Sequence, residues 1–496
     1  MERLDLEIHK CSLCYDAPCK KIYKNVDPER IIRALRFDNL KGAKSFISDN
    51  YLAKNDDSGV KCPCNVDIDY VLKRVAKLPY KKEQLNVDIT TTFCGLKLKN
   101  PFLLSSSVVG STYDMCKRAL QAGWAGVVFK TMCPFDIHES SPRFSTLKNW
   151  DNSFAGFKNI EQLSIHTLEE DCNILKRLKK EFPSRIIIAS IMGRNEEEWE
   201  SVARIVTESG CDAIELNFSC PNMEEKGTGS DIGQEPEVVK KYTMAARRGT
   251  SLPLIAKMTP NITDIRIPAR AAKEGGANGI SAINTIKSIT NIDFDTLVPE
   301  PNVNGKTAIG GYSGKAVKPI ALRFVTELAN DSMLNDIDIS GIGGIYTYKD
   351  AIEFLLLGAT NVQLTTAIME YGYRIIDDLI LGLKIFMKEN NFHKVSDFVG
   401  ISKKCVVDTS KVERDTILFP KFNYDKCVGC GRCFISCQDG GHSAIKFGTV
   451  TRKPQLDGSK CVGCHLCKQV CPNKAISVVE KRIINKNTRN YEVNPI

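Results

Sequence analysis

Twenty of the 496 residues are cysteine, and eight of these fall in one repeated spacing. "CVGCGRCFISC" supplies Cys427, Cys430, Cys433 and Cys437, and "CVGCHLCKQVCP" supplies Cys461, Cys464, Cys467 and Cys471. In C-x₂-C-x₂-C-x₃-C runs three thiolates hold one [4Fe–4S] cluster and the fourth serves the other. The spacing therefore predicts one cluster on Cys427, Cys430, Cys433 and Cys471, and a second on Cys461, Cys464, Cys467 and Cys437. Zinc is the alternative, but zinc sites seldom use such a run twice. Gln438 stands where a proline often closes the first run, while Pro472 closes the second. Another thiol stands apart. Cys220, in "IELNFSCPN", ends a strand-like run beside a proline and a polar loop with glycines at 227, 229 and 233. On that stretch alone it reads equally as a packed thiol or as a reactive group.

What must position Cys220 is legible over the middle of the chain. "PFLLSSS", "AGVVFKT", "IIIASIMG", "AIELNFS", "PLIAKMT", "GISAINT", "DISGIGG" and "NVQLTTA" begin near residues 101, 125, 186, 213, 253, 279, 338 and 361. Each is apolar on both faces, as parallel strands covered on both sides are. Amphipathic segments such as "NEEEWESVARIVTESG" and "RIPARAAKEGG" separate them. Eight such units predict a (β/α)₈ TIM barrel, in which chemistry gathers at the C-terminal strand ends. A doubly wound open sheet is the competing fold. Residues 1–85 read as an N-terminal helical module containing Cys, 86–395 as the barrel, 396–425 as a linker, and 426–496 as a two-[4Fe–4S] ferredoxin-like domain.

The predicted strand ends carry Ser105–Ser107 with Ser106, Lys130 and Thr131, Asn217, Ser219 and Cys220, Lys257, Asn284 and Thr285, Gly341, Gly343 and Gly344, then Thr365 and Thr366. Packing alone does not call for two lysines, two asparagines and a glycine cluster on one rim. The last two positions occupy the usual barrel phosphate site, where N–H groups and hydroxyls hold a dianion. Two inward lysines suit a ring that becomes anionic on reduction. Together they predict a phosphorylated redox cofactor, FMN. No G-x-G-x-x-G follows a strand and opens a helix, so no dinucleotide site is visible.

Composition bounds the rest. The net charge of +9 is spread among acids, as in "KRLKKEFPSR", which speaks against nucleic-acid binding. No run of 18 apolar residues predicts a membrane helix, and "MERLDLEIHK" lacks a secretory core. With cysteines grouped for metal, a reducing, cytoplasmic location is expected.

"NPF", "AGW", "FPSRIIIASIM", "ELNFSCPN", "TPNITDI", "ARAAKEGGA", "GYSGKAVKPIALR" and both Cys runs resemble dihydropyrimidine dehydrogenase. In length the chain is similar to the FMN-containing subunit of the two-subunit bacterial NAD-dependent enzyme. Dihydroorotate dehydrogenase shares the barrel and the "N-x-SCPN" loop but not the tail. The resemblance implies that Cys220 is the proton donor and that Lys130 and Lys257 contact the flavin. It implies that Asn159, Asn217, Asn284 and Thr285, with Ser219, bind the pyrimidine. Ser106, Thr131, Asn284, Gly314, Gly343, Gly344, Thr365 and Thr366 would bind the cofactor. Asn159, in "GFKNIEQ", is expected on a loop.

Reducing the 5,6 double bond of uracil or thymine needs a hydride at C6 and a proton at C5. A thiol is acidic enough to give that proton, whereas an unactivated hydroxyl is not. The loop after Cys220 would close over the substrate. Cys94, Cys116, Cys133, Cys172, Cys211 and Cys405 read as structural thiols.

"CSLCYDAPCKK" resembles the start of the iron–sulfur module that precedes the FAD and NAD(P) domains in this family. Tyr23 stands where the family has a further Cys, and only Cys62 and Cys64 follow. A further cluster on Cys11, Cys14, Cys19 and either Cys62 or Cys64, a docking module without metal, and zinc are the three readings. An FAD/NAD(P)-binding flavoprotein subunit or a ferredoxin is the expected electron donor, in a homo- or hetero-oligomer. The competing functions are a dihydroorotate-type oxidoreductase and an electron-transfer subunit whose barrel is a scaffold.

Overall fold

The computed structural model describes residues 3–23, 25–51, 62–80, 84–223, 229–414, 416–484 and 491–492. The chain divides into two compact units, one ending at Val406 and one beginning at Val407.

The first unit is built on a closed barrel of eight parallel strands. They are β1 (Phe102–Leu104), β2 (Gly126–Met132), β3 (Ile186–Ile191), β4 (Ala213–Asn217), β5 (Leu254–Lys257), β6 (Gly279–Ala282), β7 (Asp338–Ile342) and β8 (Asn361–Leu364). Each pairs with the next in the chain, and β8 returns to β1, with Val362 opposite Phe102. All eight strand-like runs of the sequence are therefore barrel strands, and the open sheet is ruled out by the β8–β1 pairing.

The intervening helices cover the outside. Helix Glu196–Thr207 is capped by Asn195, whose side chain accepts from the Glu198 N–H, and it buries Trp199, Val202, Ala203 and Val206. That i, i+3, i+4, i+7 spacing places one apolar stripe on the barrel. Helix Leu168–Glu181 opens with a reciprocal capping box between Thr167 and Glu170. Among the thiols expected to be structural, Cys116, Cys133, Cys172 and Cys211 are buried and Cys405 is exposed.

An antiparallel sheet absent from the sequence reading joins four segments, Phe144–Lys148, Phe154–Asn159, Gly310–Ser313 and Ile286–Ser288. Asn159 ends its second strand, opposite both Phe144 and Gly311. The loop expected for Asn159 is thus corrected to a strand. "FAGFKN" lacks the alternation that marks a half-buried strand: Gly156, Phe157 and Lys158 are buried in succession.

The amino-terminal helices Arg3–Lys10, Pro18–Ile22, Pro28–Arg36, Leu40–Ser45 and Ile68–Ala76 enclose their own core of Ile8, Leu13, Ile31, Ile32, Leu35, Val71, Leu72 and Val75. A buried ion pair ties them to the barrel's last long helix, Ile376–Glu389: Arg33 Nε lies 2.6 Å from Asp378 Oδ2. Burial pushes the Asp378 carboxyl up to about 6, against the pull of Arg33. Arg374 Nη2 also donates to the Leu13 carbonyl at 2.6 Å.

The second unit pairs strand Thr416–Phe422 antiparallel with Ile476–Ile484. Residues 416–422 lie within the stretch expected as a linker. Helix Arg432–Gly440 carries Cys433 and Cys437 of the first Cys run, and helix Leu466–Gln469 carries Cys467 of the second. Four cysteines, Cys433, Cys437, Cys461 and Cys467, are part of this unit's core with Phe419, Ile445 and Ile476. Among the described residues, no helix is long and apolar enough to cross a membrane.

Candidate active site and iron–sulfur centres

The strand ends open into a cavity of about 1050 Å³, counting the part open to solvent. Ser106, Lys130, Thr131, Asn159, Asn217, Cys220, Lys257, Asn284, Thr285, Gly343, Gly344, Thr365 and Thr366 all line it. Ser219 and Gly314 do not. Ser219 is fully buried behind the wall, and its hydroxyl accepts from Asn284 Nδ2 at 2.8 Å and donates to Asn217 Oδ1 at 3.0 Å. Gly314 adopts φ +96° beside the cavity-lining Ser313, with its Cα side against Gly156.

The polar side chains hold one another. Asn217 Nδ2 donates to Thr131 Oγ1 at 2.9 Å. Asn284 Oδ1 accepts from the Thr285 N–H at 2.8 Å. Asn159 Oδ1 accepts from Asn222 Nδ2 at 3.1 Å. Each amide is thus oriented before any ligand arrives, which lowers the ordering cost of binding. Asn222 was missed as a functional residue although it closes the "SCPN" motif. Its Nδ2 also reaches the Glu161 carbonyl at 2.7 Å, and among the described residues its buried Oδ1 has no hydrogen-bond partner.

Two lysines supply the charge. Lys130 Nζ lies 2.8 Å from Glu161 Oε1 and 4.0 Å from Glu139 Oε1. Burial raises the Glu139 carboxyl above its usual range. Neither acid was singled out from sequence, although Glu161 stands two residues after Asn159. Lys257 Nζ lies 3.4 Å from Glu215 Oε1 inside the barrel. Gln363 Nε2 sits beneath them, 3.4 Å from Glu215 Oε2, 3.2 Å from Ser281 Oγ and 3.0 Å from Ser340 Oγ.

The opposite side of the cavity is built from backbone and hydroxyls. Ser107 and Thr365 hydroxyls are 3.0 Å apart, and Ser313 and Thr366 hydroxyls 2.9 Å apart. Gly344 has φ +74°, and a Cβ there would stand 2.6 Å from the Lys318 nitrogen that opens helix Lys318–Ala329. Only glycine permits this backbone to run so close to that helix start.

Cys220 is buried, and burial pushes its thiol up to about 11, with Lys130 and Lys257 pulling the other way. The thiol is therefore protonated at neutral pH, as a proton donor must be. Residues 224–228 of the following loop, Gly227 included, lie outside the described residues.

In the second unit the Cys runs surround two small cavities. Cys427, Cys430, Cys433 and Cys471 line one of about 390 Å³. Cys437, Cys461, Cys464 and Cys467 line the other, of about 300 Å³. Each cavity takes three thiols from one run and one from the other. N–H groups of Ala444 and Ala475 point at Cys437 Sγ and Cys471 Sγ, both at 3.3 Å.

Residues 88–387 match the family model described as dihydroorotate dehydrogenase, and residues 421–478 match that of a 4Fe-4S dicluster domain. The chain is 53% identical over 396 residues to the NAD-dependent dihydropyrimidine dehydrogenase subunit PreA of Escherichia coli K12, covering 80% of this chain and 96% of the relative. It is 42% identical over 327 residues to the chloroplastic dihydropyrimidine dehydrogenase (NADP(+)) of Arabidopsis thaliana, covering 64% of this chain and 77% of the relative. It is 38% identical over 315 residues to the catalytic subunit of dihydroorotate dehydrogenase B (NAD(+)) of Pyrococcus abyssi, covering 62% of this chain and 97% of the relative.

The Lys257–Glu215 pair gives a direct test of the barrel interior. Glu215→Ala leaves an ammonium buried without its counter-charge and is expected to cost about 3–5 kcal/mol. Replacing both partners, Glu215→Leu with Lys257→Met, is expected to recover most of that loss. Denaturant unfolding of the three proteins measures both effects.

Proposed function

From a chain that belongs to the dihydroorotate dehydrogenase family and, within it, to the iron–sulfur-bearing dihydropyrimidine dehydrogenases, we propose an oxidoreductase that reversibly reduces the 5,6 double bond of uracil and thymine. The observation that carries this reading is Cys220 on one cavity wall with Lys130, Lys257 and the three asparagines. The cavity fits FMN with a small ring beside it: two buried cations, paired hydroxyls, and a glycine backbone against a helix start. FMN, when bound there, supplies the hydride.

The chain's own residues do the rest. Lys130 and Lys257 offset the negative charge that a reduced ring acquires. Gly343, Gly344, Thr365 and Thr366 hold the phosphate through N–H groups and hydroxyls, with Ser106, Thr131 and Gly314 shaping the same wall. Asn159, Asn217 and Asn284, with Thr285, present amide and hydroxyl groups to the pyrimidine, since an asparagine both donates and accepts. Ser219 positions Asn217 and Asn284 from behind. Cys220 gives the proton to C5 and, in the reverse direction, its thiolate takes it back.

Cys427, Cys430, Cys433 and Cys471 hold one [4Fe–4S] cluster, and Cys437, Cys461, Cys464 and Cys467 the other. Each cluster carries one electron, so two clusters suit a two-electron reduction. We take 86–395 as the catalytic barrel and 426–496 as the electron wire of a cytoplasmic enzyme. A separate NAD(P)-binding flavoprotein subunit or a ferredoxin delivers the electrons, because no dinucleotide fingerprint is present in this chain.

Cys220→Ala is expected to keep FMN and iron and to lower uracil reduction by about 10²- to 10⁴-fold. In the unaltered protein the reduction rate should hold from pH 7 to 9, because a thiol pushed up to about 11 stays protonated there. Oxidation of dihydrouracil should rise with pH over the same range, since it needs the thiolate. Assays of uracil, thymine and dihydroorotate side by side decide the substrate. Turnover of dihydroorotate alone refutes the reading.

The purified chain is also expected to leave NADH and NADPH unoxidised while reduced viologen drives uracil reduction. Stopped-flow absorbance with each donor measures this, and robust NADH-driven turnover refutes the need for a partner.

A further inference from the structure

The two Cys runs of the second unit build matched sites, and one residue breaks the match. The crossing sulfurs, Cys437 Sγ and Cys471 Sγ, each accept one backbone N–H at 3.3 Å. After the second Cys of each run the chain turns through a left-handed residue, Gly431 with φ +74° and His465 with φ +57°. The Gly431 carbonyl accepts from the N–H groups of Phe434 and Ile435 at 3.0 and 3.1 Å. The His465 carbonyl accepts from those of Lys468 and Gln469 at 3.0 and 3.3 Å. Each of the two residues also lines its own run's cavity. Glycine adopts this backbone without strain, whereas few residues with a side chain do. A histidine therefore stands where a glycine serves the same turn in the other run.

The imidazole is buried and unmatched. Among the described residues, neither Nδ1 nor Nε2 of His465 has a hydrogen-bond partner, and both are shielded from solvent. An imidazole always carries at least one N–H, and a buried donor left without an acceptor is destabilising. A cluster in the cavity that His465 lines brings acceptors of the right kind, its sulfide and thiolate sulfurs. An N–H on such a sulfur draws off negative charge and favours the reduced cluster. We propose, resting on the reading of this cavity as a [4Fe–4S] site, that His465 donates a ring N–H to a sulfur of the cluster held by Cys437, Cys461, Cys464 and Cys467 and so raises its potential. On reduction the cluster takes one electron from the external donor, and the proton stays on the ring.

Gly431 offers the other cluster no such donor, and Phe422, Val428, Phe447, Pro454 and Ile476 give that cavity an apolar wall. Two sites alike in ligands and in their backbone N–H groups are thereby made unequal. The cluster beside His465 fills first, and a single electron placed on the pair settles there. The asymmetry gives the pair a direction that the repeated Cys spacing alone does not.

An EPR-monitored redox titration of the full-length, cluster-loaded chain at fixed pH tests the proposal. His465→Gly removes the imidazole and suits the left-handed turn. It is expected to keep the iron content and to lower the potential of one tail cluster. Its reduced-to-oxidised ratio at a given applied potential should fall about tenfold, about 59 mV for a one-electron carrier. The wave that moves should be the higher of the two tail waves and the one that Cys464→Ala removes, while the other stays in place. His465→Asn keeps an N–H donor and tolerates the turn, so it should recover part of the shift. Should His465→Gly lose a cluster, the unaltered chain decides. With histidine isotope-labelled in its ring nitrogens alone, pulsed EPR of the reduced protein should show nitrogen coupling to the higher-potential cluster. Absence of that coupling, an unmoved potential in His465→Gly, or a shift confined to the other wave overturns the proposal. Fewer than about eight iron per unaltered chain would instead overturn the two-cluster reading of the tail, and this proposal with it.

Discussion

Inside the barrel Lys257 and Glu215 stand 3.4 Å apart, with side-chain exposures of 3% and 0%. A parallel barrel normally fills its interior with branched apolar side chains. A charge pair in that place costs desolvation of both ions, and the pair regains it only with good geometry and further hydrogen bonds. Gln363, Ser281 and Ser340 supply polar contacts around it. The geometry of the cavity floor follows. Lys257 is held at the end of β5, level with Asn217 at the end of β4. Asn217 in turn fixes Thr131 and, with Ser219, Asn284. An ammonium buried inside a closed barrel is the constraint on which the amide and hydroxyl network is arranged.

A raised thiol does not by itself mark Cys220. Burial also pushes Cys172 up to about 11, and Cys116 and Cys211 up to about 12. These three lie among apolar helices and strands, whereas Cys220 faces a cavity with two lysines. The distinction is one of placement. Desolvation keeps the proton on Cys220 at neutral pH, and the strand end puts that proton where a ring can be presented to it. The cysteines that line the two small cavities of the second unit differ again, because they are grouped so that several sulfurs face one void.

The barrel was legible because each parallel strand is buried on both faces and reads as an unbroken apolar run, with polar residues massed at its C-terminal end. Lys130, Lys257, Asn217 and Cys220 could be placed on one rim for that reason. The antiparallel sheet that carries Asn159 was not legible, since "IKS" and "GGYS" are too short and "FAGFKN" does not alternate. With it went Asn222 and Glu161, which act on Asn159 and Lys130 through contacts formed only when distant segments meet. The grouping of the tail cysteines followed from spacing. Which amino-terminal thiols belong together did not, because the segments carrying them are more than forty residues apart.

In the reaction proposed, FMN would give its hydride to C6 on one face of the pyrimidine, and Cys220, as general acid on the other face, the proton to C5. Reduction of uracil in deuterium oxide places deuterium at both C5 and C6, and the proton coupling between those carbons in the product reports their relative face. The account predicts trans 5,6-dideuteriodihydrouracil as the product of the unaltered protein. A cis product, or an equal mixture of the two, would mean that the proton comes from the hydride's side or from free solvent, and would contradict the role given to Cys220.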